Sequence, residues 1–191
     1  MATVSKRDQL IDTALDLFYR DGFNATGIEK ILAEANVSKM TLYKHFKSKE
    51  ELIQTALRLR DERFREWLMN YVESNAETPR DRLLALFDAH FEWFSQATFR
   101  GCMFLNAAAE FAGNTRSIAA IADEHKRLLA SYIRGLASAA KAGNPDRLAD
   151  WLMILLDGAI STALVSEDPT NANKAKTAAE VLLDTELRSA A

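Results

Sequence analysis

One cysteine, three prolines and seven glycines are all that 191 residues contain of those types. A single thiol, Cys102, excludes an intrachain disulfide and any zinc site built from cysteines, and it suits a reducing compartment. So little glycine and proline leaves few tight turns for a fold of many short strands. No stretch alternates apolar and polar residues with period two, so no sheet is expected. There is no internal repeat and no low-complexity segment. The longest apolar run, Trp151 to Val165, contains Asp157 and is short for a bilayer crossing. The opening MATVSKRDQLIDTALDLF carries acidic residues inside its apolar stretch, unlike a signal peptide. A soluble cytoplasmic protein without a membrane partner is therefore expected. Enzyme signatures are missing too: there is no nucleophile elbow, phosphate loop or HExxH. His45, His90 and His125 lie far apart and form no recognisable ligand pair. Neither catalysis, nor a metal, nor another cofactor is expected.

What is present is apolar and charged. The chain is 48% hydrophobic and 27% charged, enough for a sizeable core and against global disorder. Alanine, leucine and charged residues dominate, which favours long helices. Net charge is −3, unremarkable for DNA binding, but it is unevenly spread. Residues 1–49 hold 8 Lys+Arg against 6 Asp+Glu, leaving 16 against 21 in the remainder. Lys39, Lys44, Lys47 and Lys49 fall between Val37 and Lys49 with no acidic residue among them. Such an island is either an anion-binding face or a solvated helix surface.

The chain reads as an all-α protein of about nine helices. Ser5-Lys6-Arg7-Asp8 resembles a capping box, followed by Ile11, Ala14, Leu15 and Phe18 at helical spacing and Gly22 as the stop. Thr26-Gly27-Ile28-Glu29 reads as the cap of a second, short helix with Ile28, Ile31, Leu32 and Ala35 on its buried face. Asn36 tolerates positive φ, so a tight turn is expected there, and Ser38 caps a third helix, Lys39 to Phe46. Ser48-Lys49-Glu50-Glu51 opens a long helix to about Glu73, and Thr78-Pro79 opens the next. Further helices are expected over Cys102–Phe111, Ser117–Lys141, Pro145–Val165 and Asn173–Ser189, with breaks at Gly113-Asn114, Gly143-Asn144-Pro145 and Asp168-Pro169.

Two short helices joined by a three- or four-residue turn have the geometry of a helix-turn-helix, whose second helix enters the major groove. Ile31, Ala35, Val37 and Leu42 would hold the pair together, with Phe46 anchoring its end. The other face of the third helix presents Lys39, Met40, Thr41, Tyr43, Lys44 and His45: cations and hydroxyls for phosphates, and a thioether suited to a thymine methyl. Thr26, Gly27 and the first amides of the second helix could hold another phosphate through the helix dipole.

At these residues a family resemblance is close. GIEKILAEANVSKMTLYKHF, residues 27–46, is similar to the DNA-binding motif of tetracycline-repressor-like (TetR) transcription regulators. KSKEEL resembles that family's entry to the linking helix, and ALDLFYRDGFNATGIEKI resembles its first helix and turn. Ala35-Asn36 stands where Ala-Gly is usual, and Met40 where a smaller residue is common, which bears on the operator sequence. The resemblance implies a helix-turn-helix domain over residues 1–49 and a helical effector-binding and dimerisation domain over 50–191. It implies phosphate contacts from Tyr43, Lys44 and Lys49, and places Thr41, Lys39 and Met40 nearest the bases. The Tyr43 ring can also pack on the first helix while its hydroxyl faces out, and His45 and Lys47 can be merely solvated.

Paired half-sites require a two-fold dimer. Leu148, Leu152, Leu155, Ala159, Thr162 and Ala163, with Ala178, Ala179, Leu182, Leu183 and Leu187, line the last two helices; they form either that interface or internal core. The middle helices are rich in aromatics. The resemblance implies a small-molecule cavity among them, partly apolar, with Trp67, Tyr71, Phe87, His90, Phe91, Phe94, Cys102, Asn106, Glu110 and Trp151 as its candidates. Asn106 and Glu110 share a helix face that His90 could join. Cys102 is either a buried small hydrophobe or, as in a branch of the family, a sensor of electrophiles or oxidants. The expected function is a dimeric repressor released from operator DNA by a small molecule. The alternatives are a cysteine-based sensor, a helical enzyme, or a helical binding protein without DNA affinity.

Overall fold

The structure, a computed structural model, describes residues 5–113 and 116–188. Among these residues the chain forms nine α-helices and no strand. In chain order they are α1 (Lys6–Asp21), α2 (Ile28–Ala35), α3 (Lys39–His45), α4 (Lys49–Asn75), α5 (Pro79–Phe94), α6 (Met103–Glu110), α7 (Arg116–Ala139), α8 (Pro145–Ser166) and α9 (Asn171–Arg188). Asn114 of one expected break and Ser189 at one expected helix end lie outside the described residues.

Local chemistry sets most boundaries. The Ser5, Ser38, Thr78 and Asn144 side chains accept from the backbone N–H three residues on, at Asp8, Thr41, Asp81 and Arg147, capping α1, α3, α5 and α8. Gly22 closes α1 at φ 88°, and Asn36 closes α2 in the left-handed region at φ 48°, ψ 52°. Two caps differ from expectation. Gly27, not Thr26, is the cap residue of α2, and it makes no side-chain hydrogen bond there. Helix α9 starts two residues early because Asp168 accepts from both the N–H and the hydroxyl of Thr170 and forms the turn itself. Those bonds and Lys174 hold the Asp168 carboxyl down at about 2.

The helices group into two compact units. Residues up to Arg63 with Met103–Asp123 form the first; Phe64–Cys102 and residues from Glu124 onward form the second. Helices α4 and α7 therefore each contribute to both. In the first unit Leu10, Ala14, Phe18, Phe23, Ile31, Ala35, Leu42, Phe46 and Leu52 form the core. Phe18 stacks on Phe23 with ring centres 5.2 Å apart, Phe111 meets Phe23 edge-on at 5.8 Å, and the Arg7 guanidinium lies 5.6 Å above the Phe46 ring.

In the second unit α8 packs on α9 and α5 through Leu148, Leu152, Leu156, Ala159 and Ala163. By length and composition α8 could cross a membrane, but this stripe is buried against its neighbours and Asp157, elsewhere on the helix, pairs with Lys126. Arg80–Asp184 (2.9 Å) and Lys176–Asp88 (2.7 Å) tie α5 to α9. A buried carboxylate, Glu186, accepts from Arg147 at 2.6 Å and from the Asn144 N–H, fixing the start of α8.

Candidate nucleic-acid interface

The short helix α3 is divided by its own sequence. Leu42 and Phe46, four residues apart, are buried and seat it against the rest of its unit. Val37, in the preceding turn, is half-buried. The opposite face is open: Met40 is 83% exposed and Tyr43 50% exposed, and Lys39 and Lys44 are exposed. Thr41 is half-buried with its hydroxyl 2.9 Å from that of Ser38, and His45 is half-buried with its ring tilted beside Phe46. The structure thus leaves Lys39, Met40, Tyr43 and Lys44 exposed on one short helix behind a turn that Asn36 closes.

Lys39 does not stand alone there. Its ammonium donates to the Glu29 carboxylate on α2 at 2.8 Å, which raises the Lys39 pKa above the ordinary lysine value. In the sequence Glu29 reads only as part of the cap of the second helix. Its relation to Lys39, ten positions on, depends on how the turn folds α3 back beside α2.

Two expected phosphate contacts take another role. The Thr26 side chain is fully buried, and its hydroxyl donates to Gly22 O at 2.7 Å and to Leu17 O at 3.3 Å, closing the loop before α2. Gly27 beside it is exposed, so the first amides of α2 remain open at the surface. Lys49 is half-buried and donates to Phe23 O at 2.7 Å; burial pushes its pKa down while Glu110 pulls it up.

The candidate effector residues separate as well. Glu110 accepts from the Phe23 N–H at 3.0 Å and the Asn24 N–H at 2.7 Å, so both carboxylate oxygens are engaged inside the first unit. Asn106, on the same helix, is half-buried in that unit. The others lie in the second. Phe87, His90, Phe94 and Cys102 are buried, while Trp67, Tyr71, Phe91 and Trp151 are half-buried, Trp151 beneath Arg147 at 5.2 Å. Phe64 joins His90, Trp93 and His125 edge-on, at 6.2, 5.0 and 5.9 Å. His90 Nδ1 donates to Leu86 O at 2.7 Å, and burial pulls its pKa down to about 4, so the ring is neutral at pH 7. Tyr132, which the sequence did not single out, buries a hydroxyl with no partner among the described residues. Phe94 also lines an open cleft of about 450 Å³ with Phe99, Leu164, Arg100 and Glu167.

Of the residues expected at a dimer interface, Leu148, Leu152 and Ala159 are instead core, covered by their own chain. Leu155 and Leu182 are half-buried; Thr162 and Ala178 are exposed. Ile154 (69% exposed), Val165 (86%) and Val181 (64%) are large apolar side chains left uncovered on the same two helices. Sequence periodicity found those helices but not the side that stays open.

Comparison with known proteins matches this architecture. The family profile for bacterial regulatory proteins of the tetR family matches residues 10–56, and that of the tetracyclin repressor-like C-terminal domain matches residues 79–179. The HTH-type transcriptional regulator YjdC of Escherichia coli K12 is 22% identical over 178 residues, 93% of each chain. The HTH-type transcriptional repressor KstR2 of Mycolicibacterium smegmatis is 35% identical over 91 residues, 46% of this chain and 42% of its own. The crystal structure of SCO4454, a TetR-family transcriptional regulator from Streptomyces coelicolor, superposes with a TM-score of 0.88 at 27% identity, covering 97% of this chain and 92% of that one.

Proposed function

The chain belongs to the tetR family of bacterial regulatory proteins, as a DNA-binding transcriptional repressor, and on that premise we propose that it reads operator DNA as a homodimer through α3 and leaves it when a small molecule binds. The observation that carries the reading is the open face of α3, with Met40, Tyr43 and Lys44 exposed while Leu42 and Phe46 anchor it. Tyr43 and Lys44 bind the phosphate backbone. Met40, with Lys39 and Thr41 beside it, faces the base edges, where a bare thioether suits a thymine methyl. Gly27 and the first amides of α2 offer one more phosphate position.

Residues 1–49 act as the reading head and residues 50–191 as the regulatory and dimerising portion. The partner subunit covers Ile154, Leu155, Thr162 and Val165 of α8 and Ala178, Val181 and Leu182 of α9, whose apolar surface this chain leaves open. The effector is partly apolar and binds in the second unit. The aromatic residues there support that class of ligand, and the unpartnered Tyr132 hydroxyl offers it one polar anchor. The burial of Cys102, 5% exposed, favours this over sensing through the thiol. The protein works in the cytoplasm, where its DNA is.

The test is fluorescence anisotropy on the duplex upstream of the protein's own gene, against a scrambled duplex, across a salt titration. Wild type is expected to prefer the native duplex. Replacing Tyr43 and Lys44 by alanine together should weaken binding and flatten the logarithmic salt slope by about 0.9 per lost phosphate contact. Binding that survives this double substitution unchanged would remove α3 as the reading helix.

A further inference from the structure

Phe23 sits in the loop between α1 and α2, and both of its backbone polar groups are taken by charged side chains distant in sequence. Glu110, the last residue of α6, accepts from its N–H at 3.0 Å and from the next N–H, Asn24, at 2.7 Å. Lys49, the first residue of α4, donates to its carbonyl at 2.7 Å. The Phe23 ring is fully buried between Phe18 and Phe111, and the Asn24 amide reaches back to the Glu110 carbonyl at 3.4 Å.

Gly22 belongs to the same arrangement. At φ 88° it holds a backbone that a side chain resists, and a Cβ there would come within 3.1 Å of a Glu110 carboxylate oxygen. Glycine thus serves both the turn and the space the carboxylate needs. The start of α7 repeats the theme: the Ser117 hydroxyl donates to Glu50 at 2.7 Å and accepts from Gln54 at 3.2 Å, both on α4. Yet α6 falls within residues 79–179, matched by the profile of the C-terminal domain, while these contacts all lie within the unit that carries α3.

We propose that Glu110 is a positioning residue for DNA recognition: its carboxylate, spanning two consecutive amides with Lys49 on the carbonyl between them, fixes the α1–α2 loop and so the seat of α2, against which α3 is held. The inference rests on α3 being the reading helix. Two amides aimed at one carboxylate require both oxygens as acceptors, and charge makes the bonds strong. Glutamine keeps the shape but turns an N–H₂ group toward one of those donors. Glu110→Gln therefore breaks the tie without opening a cavity.

The experiment pairs amide exchange on the free protein with anisotropy on a duplex recovered by random-sequence selection with the wild-type protein. In wild type the Phe23 and Asn24 amides should be protected. In Glu110→Gln both should exchange at least about tenfold faster, while Leu17 and Phe18 keep wild-type protection. DNA affinity should fall, by up to about a hundredfold, as the free protein spends less of its time with α2 and α3 in the binding seat. The salt slope should stay at its wild-type value, because no phosphate contact is removed. Glu110→Asp, which keeps the charge but shortens the reach, should move both readouts the same way and serves if the glutamine variant unfolds. Unprotected Phe23 and Asn24 amides in wild type would overturn the tie. Faster exchange with undiminished DNA affinity would overturn its role in recognition and leave it a purely structural contact. Lys44→Ala is the separate control for the reading helix: it should flatten the slope by about 0.9, and a slope unmoved there would count against α3 rather than against Glu110, whose exchange result stands by itself.

Discussion

Lys39, on the open face of α3, is already engaged within the chain, its ammonium 2.8 Å from the Glu29 carboxylate. Its ion pair with Glu29 is exposed on both sides, and such solvated pairs contribute little to stability. Its larger effect is on the field at the surface of α3, where it cancels one of the few positive charges. Glu29→Gln should therefore leave the melting temperature nearly unchanged and tighten DNA binding, most at low salt, with the slope steepened by up to about 0.9 if Lys39 then reaches a phosphate. Anisotropy over a salt series measures this, and weaker binding would mean that Glu29 itself contacts the DNA. His90 makes a residue-scale prediction about stability. Its folded pKa of about 4 lies below the ordinary 6.5 because burial disfavours the imidazolium. Between those values the unfolded chain binds a proton that the folded chain does not. Stability is thus fully present near neutral pH and is lost as pH falls through 6.5 toward 4. Between pH 7 and pH 5 the loss is about 2 kcal/mol. Urea unfolding of wild type and His90→Leu at both values should show that much extra loss in wild type alone.

At the scale of elements, the sequence was most legible where the signal was local. Ser5, Ser38, Thr78-Pro79 and Asn144-Pro145 start helices because a short polar side chain meets an amide three residues on, and Asn36 ends one because it accepts a left-handed backbone. Thr26 misled because the same hydroxyl can turn inward, to the carbonyls of Gly22 and Leu17, as readily as onto the next helix. The last two helices show a different limit. Periodicity marks apolar stripes, but it cannot say which stripe a chain covers by itself and which it leaves for another copy. Leu148 and Leu152 are buried within the chain, whereas Ile154, Val165 and Val181 are not. Val181→Lys should consequently leave the fold intact and shift the protein from dimer to monomer in sedimentation experiments, since a charge would enter an apolar contact. DNA affinity should fall with it. A dimer that persists would move the interface elsewhere.

At the scale of the whole molecule, the helices α1 to α3 were legible because their residues are contiguous, although the unit that carries them also takes in Met103–Asp123. The sequence did not convey the contacts that cross long stretches of chain. Glu110 was expected beside a ligand, on the strength of sharing a helix face with Asn106. Its partners lie 86 and 87 residues away and are backbone amides, which carry no side-chain signature in a sequence. The phosphate contact expected of Lys49 came from the family resemblance; its bond to the Phe23 carbonyl is a separate contact that no local pattern reveals. A two-fold dimer reading DNA through α3 is likewise a property of the whole molecule, and random-sequence selection with the purified protein is its sharpest test. An enriched, inverted-repeat site is expected, with half-sites about one helical turn or a multiple of it apart, and its enrichment should vanish when Tyr43 and Lys44 are replaced by alanine. No enrichment over the starting pool, or an asymmetric site indifferent to those two substitutions, would contradict this mode of reading.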